Sequence, residues 1–363
     1  MAKSCNLLCV VGVLLTLSVA GRVSGQQTPK SALFPFGDSY YDLGNKKYLT
    51  TEFLPCTTWP YGKSTDRPNG RYSDGKITPD FLAIFLNQPI TIPPALQPDA
   101  DVSSGAGFAV GDATVLGSPS ATLTLSQQVA EFEKQRSKWT AEFLQEAIFI
   151  FQIGTNDYLN FSKYYPSPDA STQQGFVTMV TNAIENELVR LYKLGVRKFG
   201  YQTLAPLGCF PIVKQELNLL GDDCYEPLNE IAKQHNEKIR PMLKSLAQKY
   251  SGFQYTVLDF YSAISRRLVN DGTQIFNNYR FSNTINSCCG IGTNNAFGCG
   301  RINVHSNLCE YPREYLFFDG FHNSQKASEE IAHLFFSGNK DIVGPMTLRE
   351  LSVYPNGMNM LEY

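Results

Sequence analysis

Phe36-Gly37-Asp38-Ser39-Tyr40-Tyr41-Asp42-Leu43-Gly44-Asn45 follows directly on the apolar run 32–36, and the fold turns on how that junction is read. A short β-rich run that ends in glycine and small polar residues is a strand opening into a turn. A serine at the C-terminal end of a strand stands where open α/β sheets hold their ligands. Gly37 permits a tight turn or a close backbone approach that a side chain would block. If a helix follows, its free N–H groups would stabilise negative charge near Ser39. Gly-Asp-Ser alone is common turn chemistry, so its meaning depends on the residues at other strand ends.

Outward from this junction, apolar β-rich runs alternate with helical patterns. The strand candidates are Ala32–Phe36, Gly105–Val110, Ala147–Ile153, Lys198–Thr203 and Gln254–Leu258. The helix candidates are Ile77–Leu86, Leu125–Lys138, Thr172–Leu194 and Glu226–Tyr250. Such alternation predicts βαβ units and one doubly wound α/β domain with a parallel sheet. Residues 54–74, rich in Pro, Gly and aromatics, and residues 276–313, with four cysteines, break the rhythm. Loops of that length in a compact domain sit over a site or rim it.

Three further blocks fall at predicted strand ends: Gly111-Asp112, Gly154-Thr155-Asn156-Asp157 and Asp319-Gly320-Phe321-His322. A glycine N–H and an asparagine amide are the neutral donors that an oxyanion hole requires. A carboxylate three residues before a histidine can orient the imidazole, which then acts as base toward a serine. Of the four histidines, His235 and His333 lie in helical patterns that suit packing, and His305 lies among cysteines. Only His322 has an adjacent carboxylate at a strand-to-helix junction. Zinc at His305 is conceivable, but the cysteines there fit disulfides better in a secreted chain.

The whole chain of 363 residues has 31 basic and 33 acidic side chains and is 18% charged, with no long like-charge block. That balance argues against nucleic acid and polybasic membrane binding. Lys3, the apolar run 7–20 and the small residues Val23 and Gly25 form a signal-peptide pattern, leaving residues 26–363 as one domain. The run is too short for a transmembrane anchor. Seven cysteines then remain in an oxidising route, an odd number. The expected pairs are Cys209 with Cys224, and Cys288 and Cys289 with Cys299 and Cys309 in either order, leaving Cys56 free. Asn160-Phe161-Ser162 makes Asn160 the candidate glycosylation site. Tyr40, Tyr41, Trp59, Tyr61, Tyr158, Phe161, Tyr164 and Tyr165 cluster near these blocks, as an acyl or aryl groove or as core.

The ordered blocks resemble the plant-type GDSL esterases/lipases of the SGNH hydrolase superfamily: Gly37-Asp38-Ser39 with Asp42, Gly44 and Asn45, then Gly154 to Asp157, then Asp319 to His322. The resemblance implies a three-layer α/β/α, flavodoxin-like domain with a mainly parallel sheet. It implies Ser39 as nucleophile, His322 as general base and acid, and Asp319 as the residue orienting it. It further implies an oxyanion hole from the Ser39 N–H, the Gly111 N–H and the Asn156 side chain, and no metal or organic cofactor. The register of the glycine donor stays open among Gly105, Gly107 and Gly111. The block around Gly111 departs from the family at Gly107, Val110 and Asp112, and Asn323 stands where proline is usual.

Within that family the segments 61–64, 204–209, 232–236 and 304–311 resemble the myrosinase-associated, epithiospecifier-modifier-like subgroup. The resemblance implies two readings. One is a secreted hydrolase of carboxylic or lipid esters. The other is a weakly active or inactive partner of a myrosinase-type glucosidase or an endomembrane trafficking factor. Secretion is the expected address in either case, with the vacuole or an ER-derived body as the alternative that the resemblance implies.

Overall fold

A computed structural model describes residues 31–88, 91–117, 122–269, 280–357 and 360. The expected signal peptide, residues 1–25, lies outside them. Four parallel strands, β1 (Leu33–Gly37), β2 (Ile148–Gln152), β3 (Lys198–Gln202) and β4 (Gln254–Leu258), lie side by side in chain order. A two-residue strand, β5 (Val343–Gly344), runs antiparallel on the outer edge of β4. Every residue of β1 to β4 is buried, as a parallel sheet covered on both faces requires. The in-register pairs Phe34↔Phe149 and Phe36↔Phe151 stack their rings at 4.6 and 5.4 Å, which makes the middle of the sheet an aromatic core.

Helices cover both faces. The described ones that matter here are α1 (Thr78–Phe85), α2 (Leu125–Gln135), α3 (Thr155–Tyr164), α4 (Ala170–Lys193), α5 (Glu226–Lys249) and α6 (Gln325–Ser337). α4 packs between α2 and α5, whereas α1 packs on α6. The helical periodicities at 77–86, 125–138, 172–194 and 226–250 each fall on one of these elements. Leu228, Ile231, Ala232, His235, Ile239, Leu243 and Leu246 form the buried stripe of α5 at helical spacing. Helix starts are set by side-chain caps: Thr124 accepts from Gln127 N–H, and Asp169 accepts from Thr172 N–H at 2.7 Å.

The run 105–110 is not a regular strand. It lies along the free edge of β1, where Leu33 N–H donates to Ser104 O at 3.1 Å and Val110 N–H donates to Gly37 O at 3.1 Å. Between these, Phe108 and Ala109 both donate to the carbonyl of Pro35. Pro35 has no N–H to return, and Gly37 gives its own N–H to Gln128, so the ladder lacks half of its bonds. Gly105, with φ +108°, also turns the segment out of extended geometry. Topologically the run still holds the place of a second strand outside β1, and this yields the flavodoxin-like order. The chain leaves β1 for one side and later returns to β2 on the other, so a crevice opens between the ends of β1 and β2.

A Cβ at residue 105 would lie 2.0 Å from the carbonyl oxygen of Leu33. Gly105→Ala is expected to lower unfolding stability by about 2–3 kcal/mol, from backbone strain plus separation of the edge segment from β1. Urea denaturation checks this, and an unchanged midpoint refutes the close approach.

Candidate active site

The turn carrying Ser39 is held from three directions. Gln128 of α2 accepts the Gly37 N–H at 2.9 Å and returns its amide to Gly37 O at 2.8 Å. Asp38 N–H donates to Gln152 O at 3.1 Å, and Tyr41 N–H closes the turn on Asp38 O at 3.1 Å. With its amide oriented to satisfy its neighbours, Gln152 donates to the Asp38 carboxylate at 2.6 and 3.2 Å and accepts from Thr155 Oγ1 at 3.2 Å. The turn does not open into an α-helix. The next helical element is one 3₁₀ turn at Lys46–Tyr48, so helix-terminus stabilisation of charge at Ser39 is absent.

Asp42 and Asn45 fasten this loop to the segment beside β1. Asp42 accepts the N–H groups of Gly44 at 2.7 Å, Asn45 at 2.5 Å, Lys46 at 3.2 Å and Gly111 at 2.8 Å. The Asn45 amide donates to Gly107 O at 2.7 Å and Ala109 O at 2.9 Å. Together they set the spacing between the two blocks.

From the far end of the chain, Asp319 and His322 arrive on the loop before α6. His322 Nε2 is 2.7 Å from Ser39 Oγ, and Nδ1 is 2.8 Å from both carboxylate oxygens of Asp319. This places the Nδ1 proton toward Asp319 and leaves Nε2 as the acceptor for the serine hydroxyl. All three side chains are buried, with Ser39 at 8% exposure and His322 at 9%. Asp319 Oδ1 also takes the N–H groups of Phe321 at 2.9 Å and His322 at 2.8 Å. Tyr61 donates its hydroxyl to Asp319 Oδ2 at 2.7 Å, a bond that no local signal in the sequence indicates across 258 residues.

The electrostatics follow from these contacts. Burial raises the Asp319 carboxyl, but His322, the Tyr61 hydroxyl and the Phe321 N–H outweigh it and hold the group below its ordinary value. For His322, burial lowers the imidazole pKa, but Asp319 more than offsets this and leaves it above its ordinary value. Tyr40 and Tyr72 flank the imidazole with ring centroids at 5.6 and 5.1 Å, fixing its plane.

Asn156 sits in the first turn of α3, reached through Gly154 at φ +115°. Its amide nitrogen donates to Ala113 O at 2.9 Å, which leaves its second N–H unspent. Asp157 accepts from Val115 N–H and Leu116 N–H, fastening α3 to the same segment. The expected Gly111 donor fails, because its N–H is given to Asp42. Gly105 and Gly107 do not replace it: their N–H groups go to Val102 O at 3.0 Å and Pro93 O at 2.9 Å. Gly111 serves instead to admit Tyr72, whose hydroxyl would lie 2.3 Å from a Cβ at 111.

The other expectations separate cleanly. His235 is fully buried on α5, hydrogen-bonded to the Tyr158 hydroxyl at 2.8 Å, and burial pushes it down to about 3. His333 packs against Phe85 with ring centroids 4.2 Å apart and planes tilted by 34°, and His305 lies on an exposed loop. Disulfides join Cys209–Cys224, Cys288–Cys309 and Cys289–Cys299, with Cys56 buried and free. No group of three or more His, Cys, Asp or Glu side chains among the described residues is arranged to hold a metal ion. Of the clustered aromatics, Tyr40, Tyr41, Tyr61, Tyr158 and Phe161 are buried, while Trp59, Tyr164 and Tyr165 are exposed.

Known proteins share this arrangement's sequence. The chain is 54% identical to inactive GDSL esterase/lipase-like protein 23 of Arabidopsis thaliana, over 100% of this chain and 94% of that one. It is 52% identical to GDSL esterase/lipase ESM1 of the same plant, again over 100% and 94%. GDSL esterase/lipase 22 of Arabidopsis thaliana matches at 52% identity over 100% of this chain and 93% of that one. With the profile of the GDSL-like Lipase/Acylhydrolase family matching residues 33–335, from the first strand into α6, the chain belongs to that family of ester hydrolases.

Proposed function

We propose that the protein hydrolyses carboxylic or lipid esters through an acyl-enzyme on Ser39. The observation that carries this is the 2.7 Å contact of His322 Nε2 with Ser39 Oγ, backed by Asp319 on Nδ1. As Ser39 attacks the ester carbonyl, His322 takes its proton and Asp319 stabilises the imidazolium. The Ser39 N–H and the free N–H of Asn156 serve the developing oxyanion. His322 then returns the proton to the leaving alcohol, and water attacks the acyl-enzyme with His322 again as base.

Three disulfides and the absence, among the described residues, of any helix long and apolar enough to cross a membrane support passage through the secretory pathway. Extracellular release is the destination we infer. Asn160 is exposed on α3, as a glycan acceptor must be. A second reading, a binding partner of a myrosinase-type glucosidase, is favoured by one observation: a relative 54% identical to this chain carries the word inactive in its name.

Turnover of short and medium p-nitrophenyl esters decides between the two. Ser39→Ala is expected to lose at least about a hundredfold in turnover together with labelling by a fluorophosphonate probe. Equal background rates and no labelling of the wild type would reject hydrolysis.

Catalysis needs His322 neutral, and its pKa is raised by Asp319. The value of kcat/KM should therefore fall with decreasing pH through a midpoint above about 6.5, the ordinary imidazole value. Asp319→Asn should move that midpoint down and reduce kcat by roughly a thousandfold or more. A pH–rate series on both proteins checks the direction.

Tyr61→Phe removes one donor from the Asp319 carboxylate. That makes the carboxylate more basic and its hold on the imidazolium stronger, so the acid midpoint should rise, while loss of the bond that fixes Asp319 Oδ2 should misalign the imidazole and lower kcat roughly tenfold. A change confined to thermal stability, with the midpoint unmoved, would reduce Tyr61 to a packing residue.

A further inference from the structure

The chain has one Asn-x-Ser/Thr sequon, Asn160-Phe161-Ser162, and the fold sets it on α3, four residues beyond Asn156. Residues four apart share one face of a helix, about 6 Å from each other along its axis. Helical side chains also lean toward the N-terminus of their helix, so a group carried on Asn160 covers the turn before it. That turn holds Asn156. Asn156 is half-buried and Asn160 is exposed, which makes Asn160 the outer of the two.

Both asparagines line one cavity of about 540 Å³. Its wall also includes Phe321, which directly precedes His322 and whose carbonyl takes the Tyr40 hydroxyl at 2.6 Å. The cavity therefore touches the amide that serves the oxyanion and the residue beside the general base, and Asn160 stands at its exposed edge. The two amides are committed differently. Asn156 donates to Ala113 O, whereas the Asn160 side chain has no hydrogen-bond partner among the described residues. Modification of Asn160 thus costs the fold no native bond.

We propose that an N-linked glycan on Asn160 roofs the Asn156 side of the cleft and limits the size of the ester that reaches Ser39. This rests on the hydrolase reading above and adds to it a covalent control of access. Attachment draws an oligosaccharide from a lipid diphosphate carrier: Asn160 Nδ2 loses a proton and bonds C1 of the first sugar, while the C1–O bond to the diphosphate breaks. A tethered glycan occupies the space above Asn156 at a fixed local concentration, however dilute the protein. The contacts among Ser39, His322 and Asp319 do not involve Asn160, so the glycan changes admission and leaves the chemistry alone.

The experiment compares the full-length protein secreted from a glycosylating host before and after enzymatic removal of N-glycans under native conditions, with intact mass reporting occupancy. Removal should raise kcat/KM for p-nitrophenyl dodecanoate at least about fivefold and leave that for p-nitrophenyl acetate within about twofold. Ser162→Ala abolishes the sequon while keeping Asn160, and it should reproduce the deglycosylated protein. Ser162→Thr keeps the sequon and should match the glycosylated one. Enzymatic removal acts on protein already folded, so the comparison holds even where Ser162→Ala fails to fold. A secreted protein without a glycan on Asn160 overturns the proposal, as does a glycan whose removal leaves the ratio of the two rates unchanged. In both of those outcomes hydrolysis stands. If neither ester is turned over in a Ser39-dependent way, the hydrolase reading falls and takes this one with it.

Discussion

The site depends on how closely two strand ends approach. A Cβ on residue 37 would lie 2.0 Å from the carbonyl oxygen of Gln152, so only glycine lets β1 and β2 finish side by side. From that contact the rest follows within a few residues in each direction. Ser39 is two positions beyond Gly37, and Asn156 is four beyond Gln152, so both follow closely on that contact. Gln128 holds the Gly37 peptide by both its N–H and its carbonyl, and Gln152 holds Asp38. These are paired bonds between buried groups, for which loss of one partner leaves the other unsatisfied. The turn is thereby preorganised, as a nucleophile attacking at a fixed angle requires.

The second half of the site comes from nearly three hundred residues away and needs its own anchorage. Residues 288 and 289 donate their N–H groups to Phe317 O at 3.0 Å and Phe318 O at 2.8 Å, immediately before Asp319. Both cysteines are tied down by disulfides, and Lys63 donates to the carbonyls of Cys309 at 2.7 Å and Glu310 at 2.9 Å. Tyr61, two residues before Lys63, packs on Phe318 and bonds Asp319. Residues 54–74 and the cysteine-rich loop thus form one support for the carboxylate. Oxidation of these cysteines and alignment of His322 are physically connected, because the same backbone carries both.

Much of this was legible in the residues, and the misses share a cause. Ser39, Asp319 and His322, which the structure brings into contact, could be found because each stands near a strand end, where side-chain chemistry and local spacing coincide. The long helices were legible from their buried stripes. Gly111 was misread because a backbone donor is defined by direction, and here Asp42 turns that N–H away from the serine. The run 105–110 has strand-like residues, yet its partner offers Pro35 where a donor is needed. Tyr61 stood out only as one of the clustered aromatics, and its role as donor to Asp319 carried no signal, since that bond exists only after the loop 54–74 has folded over the site. What sequence shows poorly is the long-range partner of a polar group.

Burial treats the carboxylates around the crevice alike, and their partners then distinguish them. Asp38 is pushed up to about 7, and Asp42 and Asp157 to about 6, by desolvation that their backbone N–H donors offset only in part. Asp319 is just as enclosed, but it faces a group that can become a cation and receives the Tyr61 hydroxyl, and it alone among these four is held down. The consequence is that negative charge is firm at the carboxylate touching His322 Nδ1. A charged Asp319, on the far side of the imidazole from Ser39, favours proton transfer away from the serine. The same desolvation that would weaken a lone base is therefore offset at the one carboxylate that holds the imidazole, by the ring itself and the Tyr61 hydroxyl.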